Sequence, residues 1–188
     1  MKFAIISDTH GNVANFRKAV GWLNNQEIQI ILHCGDIGNP ESLKESLVDF
    51  KGEFFGVFGN MDKDFKILIE EYNKIPRVEI KEDIFEKVIG GNPPSHKASE
   101  GQRKIAFTHF PDEAKKLAQS GKYNLVFYGH THRPWEEKVP VRRSSESEGG
   151  GECRMINPGE LAGQFNKPTF AIYDTETDNL ELKILEKL

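Results

Sequence analysis

Cysteine is nearly absent from the 188 residues. There are two, Cys34 and Cys153, far apart and outside any CxxC or Cys/His spacing. That excludes a disulfide framework and a structural zinc knuckle and leaves two ordinary thiols. Long apolar runs are missing as well. The N-terminal stretch Phe3-Ala4-Ile5-Ile6 turns polar at Ser7 and Asp8, too soon for a signal-peptide core or a membrane span, so a cytoplasmic location with no membrane partner is the expectation. Nor is there an excess of positive charge: 25 Lys and Arg stand against 29 Asp and Glu, a net −4. This balance exerts no general pull on nucleic acid or anionic lipid, and no stable nucleic-acid partner is expected. Any anionic substrate must be drawn by a local site. No internal repeat is visible.

What is present fits one domain over 1–188, since roughly 150 residues per domain is the ordinary length prior. The composition, 37% hydrophobic and 29% charged, is that of a globular chain. The first third alternates short apolar runs with helical patterns, the α/β signature. Strands are predicted at Lys2–Ile6, Ile28–Leu32 and Glu53–Phe58. Helices are predicted at Asn12–Asn25, with Val13, Phe16, Val20 and Leu23 on one side, at Glu41–Phe50 after Pro40, and from Phe65 to Tyr72. The second half reads as further short strands, at Val78–Ile80, Ile84–Ile89, Lys104–Phe107, Leu125–Tyr128, Trp135–Val139, Cys153–Ile156, Thr169–Asp174 and Leu180–Leu185. The first three of these have a hairpin-like connection, and Pro111–Gln119 is the one good helix there. The mixture suggests two sheets with helices outside. Gly, Pro and Ser mark two long loops at 90–103 and 141–152.

Polar residues able to bind metals follow the strands. Asp8-Thr9-His10 comes after the first, Gly35-Asp36 after the second and Gly59-Asn60 after the third. His109 follows the strand ending at Phe107, and Gly129-His130-Thr131-His132 follows the one ending at Tyr128. In an α/β sheet, residues just past the carboxyl ends of neighbouring strands converge on one crevice. Seven groups, Asp8, His10, Asp36, Asn60, His109, His130 and His132, therefore point to one metal centre. Carboxylate, imidazole and amide oxygen without thiolate suit Mn²⁺, Fe or Zn²⁺. Seven groups are too many for one ion; a bridging carboxylate, for which Asp36 is the choice, allows two ions about 3.5–4 Å apart, an arrangement used in phosphoryl displacement.

The ordered set DTH, GD, GN, TH and GHTH resembles the calcineurin-like metallophosphoesterases, most closely their small single-domain microbial phosphodiesterases, from Asp8 to Asn157-Pro158-Gly159. The resemblance implies a four-layer αββα sandwich of two mixed β-sheets flanked by helices. It implies Asp8, His10, Asp36 and His132 around one divalent ion and Asp36, Asn60, His109 and His130 around the other, with Mn²⁺ favoured and Fe, Ni²⁺ or Zn²⁺ compatible. A water or hydroxide bridging the ions is the expected nucleophile, with Asp36, Asn60 and His109 as the catalytic residues around it. Hydrolysis of a small phosphodiester follows. The same fold serves as a protein-interaction scaffold in a retromer subunit whose metal site is degraded, and phosphomonoesterases and nucleases share the superfamily; those readings stand as alternatives.

Met61 stands where many relatives have a histidine suited to protonating the leaving group, and methionine has no proton to give. Diesters or activated esters are therefore expected over alkyl phosphomonoesters. Asp62 is expected to orient the Asn60 loop or an imidazole. His33 is expected to be a hydrogen-bonded strand-end residue, His96 a solvated one and Cys34 a small buried residue. Glu160 follows Asn157-Pro158-Gly159 where a small hydroxyl residue is usual; a surface-facing side chain is the ordinary reading, and a carboxylate near the site, repelling anions or reaching a metal, is the other. Chain direction puts the two long loops, with Lys97, Arg103, Arg142 and Arg143, at the end opposite the metals, since about 3.3 Å per residue separates them from His109 and His132. Plain disorder is the first expectation for them, and partner binding or self-association comes before substrate contact.

Overall fold

A strand buried on both faces must be apolar at every position, because the pleat sends successive side chains to opposite sides. The first strand, β1 (Lys2–Ile6), meets this condition: Phe3, Ala4, Ile5 and Ile6 are all fully buried. Phe3 and Ile5 enter one apolar cluster, and Ala4 and Ile6 enter another on the reverse face. The same two-sided burial places β2 (Ile30–His33) and β3 (Glu53–Val57) beside it. The computed structural model describes residues 1–90, 102–141 and 151–188.

The remaining strands are β4 (Val78–Lys81), β5 (Ile84–Ile89), β6 (Arg103–Thr108), β7 (Leu125–Phe127), β8 (Pro134–Pro140), β9 (Glu152–Pro158), β10 (Thr169–Asp174) and β11 (Asn179–Ile184). One sheet has the order β11-β10-β1-β2-β3-β4, with β1 to β4 parallel, β10 antiparallel to β1 and β11 antiparallel to β10. The other has the order β5-β6-β7-β9-β8, with β6, β7 and β9 parallel. Between the sheets lie Phe3, Ile5, Leu32 and Val57 from the first and Phe85, Phe107, Phe127 and Ile156 from the second. Three helices cover the outside of the first sheet: α1 (Val13–Asn25), α2 (Pro40–Ser46) and α3 (Ile69–Asn73). A fourth, α4 (Pro111–Gln119), lays Ala114 and Ala118 on Ala106, Val126 and Met155 of the second. The expected αββα layering is therefore the architecture of the protein.

Helix starts follow local chemistry. Asn12 and Asn39 cap α1 and α2 by accepting the backbone N–H three residues on, and Pro40 occupies the first turn of α2. Three local readings change. The α2 helix stops at Ser46 instead of Phe50, because Leu47 closes it and the chain turns through exposed Val48 and Asp49, both poor helix formers. The stretch predicted as a helix up to Tyr72 is a 3-10 turn at Lys63–Leu68 followed by the short α3. Finally, β4 and β5 do not form a hairpin with each other. Ile80 pairs beside Gly56 in the first sheet, whereas Ile84 pairs opposite Thr108 in the second, so the chain changes sheet between them.

All parallel strands point their carboxyl ends to the same edge of the sandwich. Arg103 and Glu152, which begin β6 and β9, sit at the far end from the residues that follow β6 and β7. The loop bodies themselves, with His96, Lys97, Arg142 and Arg143, lie outside the described residues. No described helix is long and apolar enough to cross a membrane.

Candidate metal centre

The turns that leave β1 and β2 are laced together: Asp8 N–H donates to the Gly35 carbonyl at 3.0 Å and His10 N–H to the Asp36 carbonyl at 2.9 Å. Asp62, fully buried, ties the β2 turn to the β3 turn by accepting from the N–H groups of Ile37 (3.0 Å), Gly38 (3.0 Å) and Gly59 (2.9 Å). It thus joins the turn that carries Asn60 to the β2 turn, and none of these bonds involves an imidazole. Asp8 reaches across to the second sheet, where the His130 N–H donates to its carboxylate oxygens at 3.2 and 3.1 Å. Two small residues make these approaches possible. A Cβ on Gly59 would lie 2.1 Å from Asp36 Oδ1, and one on Gly129 would lie 1.9 Å from Ser7 Oγ and 2.8 Å from Asp8 Oδ2. The glycines of GN and GH serve close approach.

All seven sequence-predicted residues meet on this floor. Asp8, His10, Asp36 and His132 each offer one ligand atom, and those atoms lie within 4.8 Å of one another. His10 Nε2 and His132 Nε2 are 3.3 Å apart, and His132 Nε2 is 3.3 Å from Asp8 Oδ1. Beside them, Asn60 Oδ1 lies 3.0 Å from His109 Nε2 and 2.8 Å from His130 Nδ1. Asp36 Oδ2 stands between the two groups, 3.9 Å from His10 Nε2 and 3.5 Å from His109 Nε2.

The backbone is under tension here. Among the described residues eight that are not glycine have positive φ, and five of them are Asp8, His10, Asp36, His130 and His132. A left-handed residue costs about 1–2 kcal/mol, so the fold sustains several kcal/mol to aim these side chains.

Donor chemistry fits cations. The Cys34 carbonyl can only accept, so His109 Nδ1, 2.8 Å away, carries a proton. The Nε2 of a neutral His109 is then a lone pair aimed at Asn60 and Asp36. Without a metal ion, protons take up this excess of acceptors. Burial alone would lower the His109 pKa, but the hydrogen bond and charge of Asp36 outweigh it and raise it. The Asp8 carboxylate raises His132 in the same way, helped by Glu160. Burial would raise the Asp36 carboxyl, and bonding to His109 and Met61 instead holds it below the usual range.

The model of the calcineurin-like phosphoesterase superfamily domain matches residues 1–178. The chain belongs to the calcineurin-like phosphoesterase superfamily. Its relatives include a phosphodiesterase of Methanocaldococcus jannaschii, 29% identical over 99% of this chain and the whole of that one. A solved archaeal phosphodiesterase is 28% identical with a TM-score of 0.77, covering 98% of this chain and 99% of that chain. The E. coli phosphoesterase YfcE, at 17% identity and a TM-score of 0.62 over 98% of this chain and all of that one, shares the fold.

Within this calcineurin-like domain, Glu160 takes the inward of its two directions, not the surface-facing one. It is fully buried, because its carboxylate accepts from Gln164 and Phe165 N–H at 2.8 Å each and from the Asn166 N–H. Its Oε2 lies 3.3 Å from His132 Nδ1, on the side of the ring away from Asp8. His33 is the strand-end residue expected: Nδ1 accepts from Gly35 N–H at 3.2 Å, so Nε2 donates to Thr9 Oγ1 at 3.0 Å, which donates to the Ile37 carbonyl at 2.9 Å. Cys34 and Cys153 are free, buried thiols. Three contributions escaped sequence reasoning. The Cys34 carbonyl sets the His109 tautomer. Met61 exposes its side chain, yet its N–H donates to Asp36 Oδ1 at 2.8 Å. Asn157 Nδ2 donates to the Gly129 carbonyl (2.8 Å) and Thr131 Oγ1 (3.0 Å), fixing the GHTH turn; the Asn-Pro-Gly turn was its only signal.

Proposed function

We propose that this chain hydrolyses phosphodiesters with two divalent metal ions, held by Asp8, His10, Asp36 and His132 on one side and by Asp36, Asn60, His109 and His130 on the other. The observation that carries the reading is the position of Asp36 Oδ2 between two clusters of nitrogen and oxygen donors. Bound divalent ions supply water activated near neutral pH and neutralise charge on the phosphoryl oxygens. The protein's part is orientation. Met61 N–H and the His109 ring fix Asp36, Cys34 fixes His109, Glu160 backs His132, and Asp62 holds the Asp36 and Asn60 turns together. The donor set, all nitrogen and oxygen, suits Mn²⁺, Fe, Ni²⁺ or Zn²⁺, and the family resemblance favours Mn²⁺ among them.

Met61 supports the preference for diesters. Its exposed side chain cannot protonate a leaving group, and a lost general acid costs about 10²–10⁴ in rate. The phosphodiesterase name of the Methanocaldococcus jannaschii relative agrees with this preference. The test strips the protein of metal, returns Mn²⁺, Fe²⁺, Ni²⁺, Zn²⁺ or Mg²⁺ singly, and assays matched diesters and monoesters with wild type, Asp36→Ala and Asn60→Ala. Metal-dependent diester turnover lost in both variants is the expected result. A higher specificity constant on an alkyl phosphomonoester than on its matched diester overturns the diester preference. No metal-dependent turnover at all leaves the scaffold reading.

A further inference from the structure

The residue after His109 is out of character for its place. Phe110 is the N-cap of α4, with extended φ −88° and ψ 137° and no side-chain capping bond, where Ser, Thr, Asp or Asn would stabilise the helix. The residue is 41% exposed. It meets two candidate ligands edge-on, His109 at 5.0 Å and His130 at 5.2 Å between centroids. The same ring forms a wall of a 510 Å³ cavity whose floor is Phe58, Ile84 and Thr108. Small-molecule sites fall at about 300–1,000 Å³. Asp83, Asp112 and Glu113 stand around this cavity. Asp83 and Glu113 have lysine partners, Lys66 at 3.0 Å and Lys116 at 3.1 Å.

We propose that this cavity receives one ester group of the phosphodiester, that the group is flat, apolar and uncharged, an aryl ring in chemical class, and that Phe110 selects it. The inference rests on the phosphodiesterase reading. A diester whose phosphoryl oxygens face the metal centre must project its ester groups to the sides. On the His109–His130 side the side chain next to the candidate ligands is Phe110, which also lines the cavity. An aromatic side chain there packs against an aryl group, Phe58 and Ile84 offer apolar contact, and Asp112, whose charge no lysine offsets among the described residues, disfavours a group carrying negative charge. A polar cap at position 110 would give a firmer helix and lose that aromatic contact.

The test measures binding of inert analogues to the Mn²⁺-loaded protein by calorimetry. Methyl(phenyl)phosphinate is compared with dimethylphosphinate and with methyl(4-carboxyphenyl)phosphinate, and turnover of bis(4-nitrophenyl) phosphate is assayed alongside. We expect the phenyl compound to bind on the order of tenfold more tightly than the dimethyl compound and more tightly than the carboxyphenyl one. Phe110→Ala should remove most of the phenyl preference, and Phe110→Leu, which keeps apolar bulk against His109, should retain part of it. Because each preference is a ratio within one variant, a general weakening of the metal centre cancels. Equal affinity for phenyl and methyl compounds in the wild type, or a ratio unchanged in Phe110→Ala, overturns the inference while bis(4-nitrophenyl) phosphate is still hydrolysed. Equal affinity for phenyl and carboxyphenyl compounds overturns its charge selection. No hydrolysis and no phosphinate binding overturns the phosphodiesterase reading and this inference with it.

Discussion

Replacing Asp62 by asparagine isolates the joint between the two turns that carry Asp36 and Asn60. The wild-type carboxylate is fully buried and accepts three backbone N–H groups, Ile37 and Gly59 on Oδ2 and Gly38 on Oδ1. Asparagine keeps one oxygen. With that oxygen in place of Oδ2, two bonds survive without the benefit of charge, and the amide NH₂ confronts the Gly38 N–H. Losing one charge-assisted bond and stranding a buried donor each cost about 1–3 kcal/mol. Part of this is offset, because burial raises the Asp62 carboxyl above its usual pKa and the neutral amide escapes that cost. The net loss is about 2–3 kcal/mol. At a urea dependence of about 2 kcal/mol per molar, the unfolding midpoint of the metal-free protein drops by roughly 1–1.5 M. Metal affinity falls about 10–100-fold, as for other residues that orient ligands without touching the ion. Urea denaturation followed by metal titration of the same preparation measures both. A variant with the wild-type midpoint and wild-type affinity refutes the argument that Asp62 joins these turns.

Three further outcomes follow from the site. Gly59→Ala puts a Cβ 2.1 Å from Asp36 Oδ1, so a loss of about 1–3 kcal/mol in stability is expected together with weaker metal binding; an alanine variant that binds metal normally contradicts the close-approach reading. Burial, with His109 beside it, lowers the His33 pKa to about 3. The folded state therefore binds fewer protons than the unfolded one below pH 6.5, and stability falls as pH drops from 6.5 toward 3. Between pH 7 and 5 this contributes about 2 kcal/mol, which His33→Gln should remove from the pH dependence of the urea midpoint; identical dependence in both proteins refutes it. Glu160→Gln should weaken metal binding about tenfold through His132, and an unchanged titration curve argues that Glu160 serves only its own loop.

Much of the fold was legible because its central strands are buried on both faces, and continuous apolar runs such as Phe3-Ala4-Ile5-Ile6 advertise that. The switch of sheets between β4 and β5 was not, since Val78-Glu79-Ile80 and Ile84 to Ile89 suit an outer strand of either sheet. The seven metal-competent side chains were legible from their place directly after strands, where chain direction alone brings them together. What supports them was hidden where the backbone does the work. The Cys34 carbonyl and the Met61 N–H belong to residues whose side chains suggest no such role. Glu160 faces inward because residues 164–166 curl their N–H groups onto it, a loop shape that no periodicity encodes. The left-handed backbone of Asp8, Asp36, His130 and their neighbours runs against propensity, which would place glycine there; gathering polar side chains into one crevice overrides it.

The central claim is two ions sharing Asp36, and metal content per chain tests it most directly. After stripping, reconstitution with excess Mn²⁺ and removal of unbound ions, elemental analysis of the wild type should give two equivalents per chain, and Asp36→Ala should retain fewer than one. One equivalent in the wild type, or two in the folded variant, contradicts the shared-carboxylate account.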